Sequence, residues 1–338
     1  MSKWVDFDVA ERRAILRKVE EGEHMKLAAA IEKDWWVTAV LKALFQCSCK
    51  DALSFKGGTS LSKGWHVINR LSEDIDVALN HSFFGMDRTN KKQRDNLCRK
   101  ARAYITTLLK DELETELKKM GITGFSIDAV TERMTQDGPL HINSNTDPTV
   151  LLVHYDSVQE EESEYIPPRV KVEIGCLAMD EPTQNCNLDT MIAKYFPEED
   201  NELACIIRTV TPTRTFLEKA FLLNEEFQKA KPRFRRMSRH LYDLERLMDT
   251  EFGIEALKDR VLYDTIVEHR RLYYNLKYVD YDKHAPQQID FVPPEHELER
   301  WRKDYDEMQR HFILGEALPF DDLILRIKEL RKRFSRIS

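Results

Sequence analysis

The chain contains no run of about 18 apolar residues, so nothing in it reads as a membrane-spanning helix. Its first 20 residues are charged almost throughout and lack the apolar core of a secretory signal, so export by that route is not expected. Cysteine is sparse and scattered, at Cys47, Cys49, Cys98, Cys176, Cys186 and Cys205. Cys47 and Cys49 are too close for a standard zinc pair, and no second close pair supports them. Free thiols in a reducing cytoplasm are the simpler expectation. Metal-binding histidine spacings are missing too, so His66, His154, His240 and His284 read as surface or packing residues. Internal repeats and low-complexity tracts are absent.

What is present suits a large soluble protein. The 338 residues allow two domains of ordinary size. A net charge of −7 does not exclude nucleic acid, because basic residues are locally concentrated. One cluster runs through Arg88, Lys91, Lys92, Arg94, Arg99, Lys100 and Arg102, and suits a solvated helix face at least as well as a phosphate contact. A second comprises Lys229, Lys231, Arg233, Arg235, Arg236 and Arg239.

Periodicity predicts an amphipathic helix over 10–30 and another over 32–45, whose apolar face includes Trp35, Trp36, Val40, Leu41 and Leu44. Leu53 to Phe55 leads into a glycine turn, and a short helix is expected from Ser60 to Val67. Glu73 to Ala78 alternates as a short strand, with Asp74 and Asp76 on one face and Ile75 and Val77 toward the core. Residues 88–119 read as a long polar helix. Strands are expected at Phe125–Val130, Val150–Tyr155 and Arg169–Ile174, the last two forming a hairpin through the acidic loop 157–165. Beyond Pro197 the pattern becomes helical, at 213–223, 238–248, 254–277, 296–310 and 321–334.

The chemistry-bearing stretch is Gly57-Gly58-Thr59-Ser60-Leu61-Ser62-Lys63, followed by Asp74 and Asp76. Two glycines permit backbone angles that other residues avoid and let a ligand approach closely. Ser60, Ser62 and the N–H groups of the next helix can donate to phosphate oxygens, and Lys63 adds a positive charge. A plain turn capped by Thr59 or Ser60 is the alternative. The spacing is not that of a Walker A loop. Two carboxylates facing the same way repel unless a cation or base compensates them. Mg²⁺ is suited to such oxygen ligands, and Glu173 is the best third acid for a site of two metals about 4 Å apart. Salt-bridged edge carboxylates remain the plain alternative.

The run Lys56 to Lys63, with Arg70-Leu71-Ser72-Glu73-Asp74-Ile75-Asp76, resembles the nucleotidyltransferase signature of the AbiEii/AbiGii toxin family, within the DNA-polymerase-β-like superfamily. Thr215-Phe216-Leu217-Glu218-Lys219-Ala220 resembles the family's Glu-Lys helix motif. Arg239-His240-Leu241-Tyr242-Asp243-Leu244 resembles its Arg-Asp-x-Tyr-Asp-Leu motif, with His240 where an aspartate is common. The four blocks span about residues 30–250. The resemblance implies that Lys219 meets nucleotide phosphates and that Asp243 polarises the site or activates the acceptor. From the residues alone, Lys219 suits a helix-surface lysine equally well, and Asp243 an ion pair with Arg239 one turn earlier.

The resulting expectation is an α+β fold. A nucleotidyltransferase-like domain over 1–200, with a mixed sheet, precedes a helical domain over 201–338, with the active site in the cleft between them. The resemblance implies a toxin that transfers a nucleoside monophosphate from an NTP, using Mg²⁺ or Mn²⁺, to an acceptor such as RNA or tRNA. A cognate antitoxin protein is an implied partner. The rivals are nucleotidylation of a protein or small molecule, and a non-catalytic nucleotide- or RNA-binding protein.

Overall fold

Alternation in Asp74-Ile75-Asp76-Val77 buries Ile75 and Val77 completely and leaves the two aspartates partly exposed on the other face. In the computed structural model this segment is β2 (Asp74–Leu79), the middle strand of a seven-stranded mixed sheet. The structure describes residues 4–23, 28–72, 74–86, 90–135, 138–160, 166–197 and 203–337. The other sheet strands are β1 (Leu53–Lys56), β3 (Phe125–Ala129), β6 (Thr149–Tyr155), β7 (Arg169–Gly175), β8 (Thr183–Leu188) and β9 (Cys205–Val210). A separate hairpin pairs β4 (Glu132–Thr135) with β5 (Gly138–His141). The order across the sheet is β3-β6-β7-β2-β1-β9-β8.

Tertiary contacts divide the chain into two compact units. The first comprises residues 1–64 and 73–209, and the second comprises 65–72 and 210–338. The segment 65–72, which the sequence places in the first domain, therefore packs with the second unit.

In the first unit, α1 (Val9–Glu23) and α2 (Ala28–Leu44) precede the sheet. Residues 24–27, where the single expected helix over 10–30 would continue, lie outside the described residues. Helix α2 packs against β2 and β7 and is buried around most of its circumference. Trp36 stacks on Tyr155 with ring centres 4.8 Å apart, joining α2 to β6. Glu32 is buried on the same helix, where it accepts from Ser157 Oγ at 2.7 Å and Val158 N at 2.8 Å. The helical turn α3 (Gly57–Thr59) widens into a further turn over Ser60–Gly64. The long polar helix forms as α4 (Lys91–Tyr104), a wider turn Ile105–Leu109 and α5 (Lys110–Lys119). A short helix, α6 (Met191–Tyr195), lies between β8 and β9.

The second unit is helical. It contains α7 (Pro212–Phe227), α8 (Ser238–Leu247), α9 (Glu251–Ala256), α10 (Arg260–His269), α11 (Leu298–His311) and α12 (Phe320–Phe334). Phe216, Phe221, Tyr263, Phe291 and Phe334 make ring-to-ring contacts in its buried interior. The helix expected over 254–277 is broken instead. Asp259 caps a fresh start by accepting from Leu262 N at 2.8 Å, and Asn275, with φ +43°, ends the last turn. Strands β8 and β9 are additions to the sequence reading. Polar residues dominate β8, whereas Ile206, Ile207, Thr209 and Val210 give β9 ordinary strand chemistry beside the helical region.

Because Ile75 is fully buried beneath the carboxylate-bearing face, Ile75→Ala should destabilise the chain by about 2–5 kcal/mol in urea denaturation. A loss below about 0.5 kcal/mol would show that β2 does not anchor the core.

Candidate active site

Strand register assembles the first cluster. Lys56 lies opposite Asp76 across the antiparallel β1–β2 pair. Asp76 lies beside Glu173 in the parallel β2–β7 pair, and Asp74 beside Lys171. Lys56, Asp76 and Glu173 thus form one row across three adjacent strands. The carboxyl groups of Asp76 and Glu173 sit side by side in this row, and each alters the other's ionisation. Burial pushes Asp76 up to about 6; Lys56 opposes the shift, while Glu173 and Asp74 add to it. For Glu173, burial acts upward but is outweighed by its interactions with Asp76 and Lys171, which hold its carboxyl below the usual range. Lys171 also forms a close ion pair with Glu173.

The glycine turn abuts this row. Gly57 has φ +80°, and a Cβ there would lie 2.2 Å from Asp76 Oδ2. Glycine is required both by the turn and by the approach of the carboxylate. Thr59 is buried and donates to the Asp74 carbonyl at 2.5 Å, fastening the turn to β2. Ser60 Oγ donates to the Gly57 carbonyl at 2.9 Å. Ser62 Oγ reaches the carbonyls of Gly58 at 3.4 Å and Thr59 at 3.2 Å. Lys63 is buried, donating to Asp34 Oδ1 at 2.6 Å and to the Asp189 carbonyl at 2.7 Å. Asp34 also accepts from Met191 N at 2.7 Å. The turn's side chains are therefore engaged within the first unit.

A second cluster lies inside the second unit. Arg70 donates to both carboxylate oxygens of Asp243 at 2.7 Å, in the bidentate geometry suited to guanidinium. Lys219 meets Asp243 Oδ2 at 2.8 Å. All three residues are buried. Burial acts to raise the Asp243 pKa, but Arg70 and Lys219 outweigh it and hold the carboxyl well below its ordinary value. Burial lowers His240 far below its usual value, and the charges of Lys219 and Arg239 push the same way, so its ring is neutral. The segment carrying Arg70 is held by Leu71 N donating to the Phe312 carbonyl at 2.7 Å and Leu314 N to the Asn69 carbonyl at 2.8 Å.

The structure thus brings Asp74, Asp76 and Glu173 together beside Gly57, and separately joins Lys219 to Asp243. The ion-pair partners of Asp243 are Arg70 and Lys219, from distant parts of the sequence. Lys171 is an addition to the sequence reading, its only signal a position two residues along a strand from Glu173, and Lys56, the first residue of the resembling run, gains its place opposite Asp76 only from the strand pairing. Asp34 carried no local signal, and Arg70 stood out only as the first residue of the run that leads to Asp74 and Asp76. In the first basic cluster, Arg88 lies outside the described residues, and Arg102 is buried with Nη2 on the Val130 carbonyl at 3.0 Å. In the second, Lys231, Arg233, Arg235 and Arg236 are exposed, although Arg233 also pairs with Glu226 at 2.8 Å.

A mixed sheet with carboxylates in register beside a glycine turn has the form of a nucleotidyltransferase. The family model described as nucleotidyl transferase AbiEii toxin, type IV toxin–antitoxin system, matches residues 39–326. The chain belongs to this family and is a nucleotidyltransferase. Among solved structures it resembles MenT4, a nucleotidyltransferase toxin from Mycobacterium tuberculosis H37Rv, at 15% identity and a TM-score of 0.52. That alignment covers 97% of this chain and 90% of the other, and shows a shared fold. A search of curated proteins found no match. No described helix is long and apolar enough to cross a membrane.

Gly57→Ala should displace Asp76 and strain the turn, costing at least about 1 kcal/mol in denaturant unfolding. Unchanged stability would show that the turn relaxes freely. Asp243→Asn leaves buried cations poorly compensated and should cost about 3–5 kcal/mol at pH 7. Because the folded-state pKa of Asp243 is depressed, its contribution is present above the unfolded value of about 4 and disappears as pH falls below it. Acid titration of stability should therefore be steeper in the parent than in Asp243→Asn. Parallel curves would exclude this linkage.

Proposed function

We propose that the chain is a metal-dependent toxin that transfers a nucleoside monophosphate from an NTP to the hydroxyl of an RNA acceptor, such as tRNA, in the cytoplasm. The observation that carries the metal-dependent reading is the Lys56–Asp76–Glu173 row, with Asp74 on the same face and the glycine turn against it. Asp74, Asp76 and Glu173 offer only carboxylate oxygens, the donors that Mg²⁺ or Mn²⁺ prefers. Glu173 and Asp74 add to the upward shift that burial imposes on Asp76, which marks a concentration of negative charge that a cation relieves. When bound, such a cation activates an attacking hydroxyl and stabilises the charge on the leaving pyrophosphate.

The protein's remaining contribution is positioning and electrostatics. Gly57 and Gly58 admit the triphosphate close to the backbone, and the N–H groups of Gly58 and Thr59 in the first turn are the proposed phosphate donors. Thr59 holds the turn to β2, and Lys63 anchors its far end through Asp34. Lys56 and Lys171 supply positive charge beside the carboxylates. For Lys219 and Asp243 we propose a supporting role, with the buried pair holding Arg70. A phosphate contact by Lys219, or acceptor activation by Asp243, would require that ion pair to open.

The acceptor assignment draws on the family relationship and on the exposed basic stretch Lys231 to Arg236. Purified protein incubated with each labelled NTP and separate RNA, protein and metabolite pools should place label in RNA. Label confined to protein or metabolites would sink the RNA reading. Asp76→Ala should reduce transfer by at least about 100-fold while preserving the circular-dichroism spectrum. Undiminished turnover in that variant would remove Asp76 from catalysis. The type IV toxin class implies an antitoxin partner, so co-expression of a neighbouring antitoxin should relieve growth arrest caused by the parent chain.

A further inference from the structure

We propose that Cys98, Cys176 and Asp147 form a second cation site in the first unit, selective for a thiophilic divalent metal such as Zn²⁺. Cys98 comes from α4, Asp147 from the loop before β6, and Cys176 from the end of β7. One ligand atom from each lies within 4.8 Å of the other two. The two sulfurs are 3.8 Å apart. Two thiolates on one tetrahedral zinc, with Zn–S bonds of about 2.3 Å, lie about 3.8 Å from each other. The thiols therefore already stand at the separation that zinc requires.

Asp147 supplies the third donor. Its Oδ1 accepts from Cys176 N at 2.8 Å and its Oδ2 from Leu177 N at 3.4 Å. These bonds orient the carboxylate beside Cys176 and still leave lone pairs on both oxygens. They also give Asp147 an outer-shell arrangement of the kind that fixes metal-ligating carboxylates. Asn145 Nδ2 donates to Asp95 Oδ1 at 3.2 Å, tying the same loop to the helix that carries Cys98. Both cysteines are buried, whereas Asp147 retains partial exposure. Binding would release one proton from each thiol to solvent, forming two metal–sulfur bonds and one metal–oxygen bond without oxidation. Two thiolates and one carboxylate leave a fourth tetrahedral position for water. Their sulfur content separates this site from the all-oxygen row at Asp76, so the two select different cations.

The test uses the full chain, purified under reducing conditions, loaded with Zn²⁺ and desalted, with metal counted by elemental analysis. One zinc per chain is expected to be retained. Cys98→Ser and Cys176→Ser should each weaken retention at least about 100-fold, and Asp147→Asn at least about tenfold. Asp76→Ala should retain zinc as the parent does. Titration of the parent with Co²⁺ should give thiolate-to-cobalt charge-transfer absorption, a readout that does not depend on any variant folding. Absence of that absorption, or zinc retention unaffected by either cysteine change, would overturn the site. Loss of zinc in Asp76→Ala with retention in Cys176→Ser would also overturn it by placing the metal at the carboxylate row. A parent chain lighter by two hydrogens before reduction, with a Cys98–Cys176 disulfide, would replace the cation reading with a covalent one.

Discussion

Strand register is the constraint on which the candidate active site depends. Pairing of β1, β2 and β7 places Lys56, Asp76 and Glu173 in a single row. Side chains alternate between faces with a period of two, so a one-residue slip of β2 would turn Asp74 and Asp76 into the core and bring Ile75 and Val77 to the surface. Burial of Ile75, Val77, Val172 and Ile174 opposes that slip. The apolar face of the sheet thereby holds like-charged carboxyl groups together that would otherwise separate. Burial is the main cause of the raised pKa of Asp76, and the enforced proximity of Glu173 and Asp74 adds to it.

The glycine turn extends the same logic to the edge of the row. With φ +80°, Gly57 ends β1 and begins a helical turn directly against Asp76, in space that no other side chain could share. Thr59, Ser60, Ser62 and Lys63 then spend their polar groups on internal bonds. The phosphate-binding capacity of the proposed site consequently rests on backbone N–H groups and on Lys56 and Lys171, more than on the hydroxyls and lysine that stand out in the sequence.

The Arg70–Asp243–Lys219 cluster answers a separate problem, that of placing charge in an apolar interior. A lone buried carboxylate is costly, and two directly contacting cations offset that cost. His240, kept neutral in the same buried surroundings, avoids adding another positive charge. Arg70 reaches this cluster because residues 65–72 pack with the helical unit although both chain neighbours belong to the other unit. The motif's conspicuous acids thus divide by environment. Asp74 and Asp76 keep partial exposure on one face of β2, whereas Asp243 is enclosed and fully engaged.

Local pattern was enough to read much of this molecule. Alternation in β2 separated Asp74 and Asp76 from Ile75 and Val77, glycine pairing marked the turn, and spaced motifs indicated the nucleotidyltransferase family. Helices with strong periodicity, such as α7, α8, α11 and α12, were legible for the same reason. Breaks at Asp259 and Asn275 were not, because capping competes with periodicity over only a few residues. Glu173 was already legible as the third acid, but tertiary structure alone decided that Lys56 lies opposite Asp76, that Asp34 captures Lys63, that Arg70 and Lys219 close on Asp243, and that Cys98 meets Cys176 with Asp147. Each of these contacts joins residues far apart in the chain. A side chain's local pattern determines which face it occupies, but its partner across the sheet or core is set by how distant elements pack.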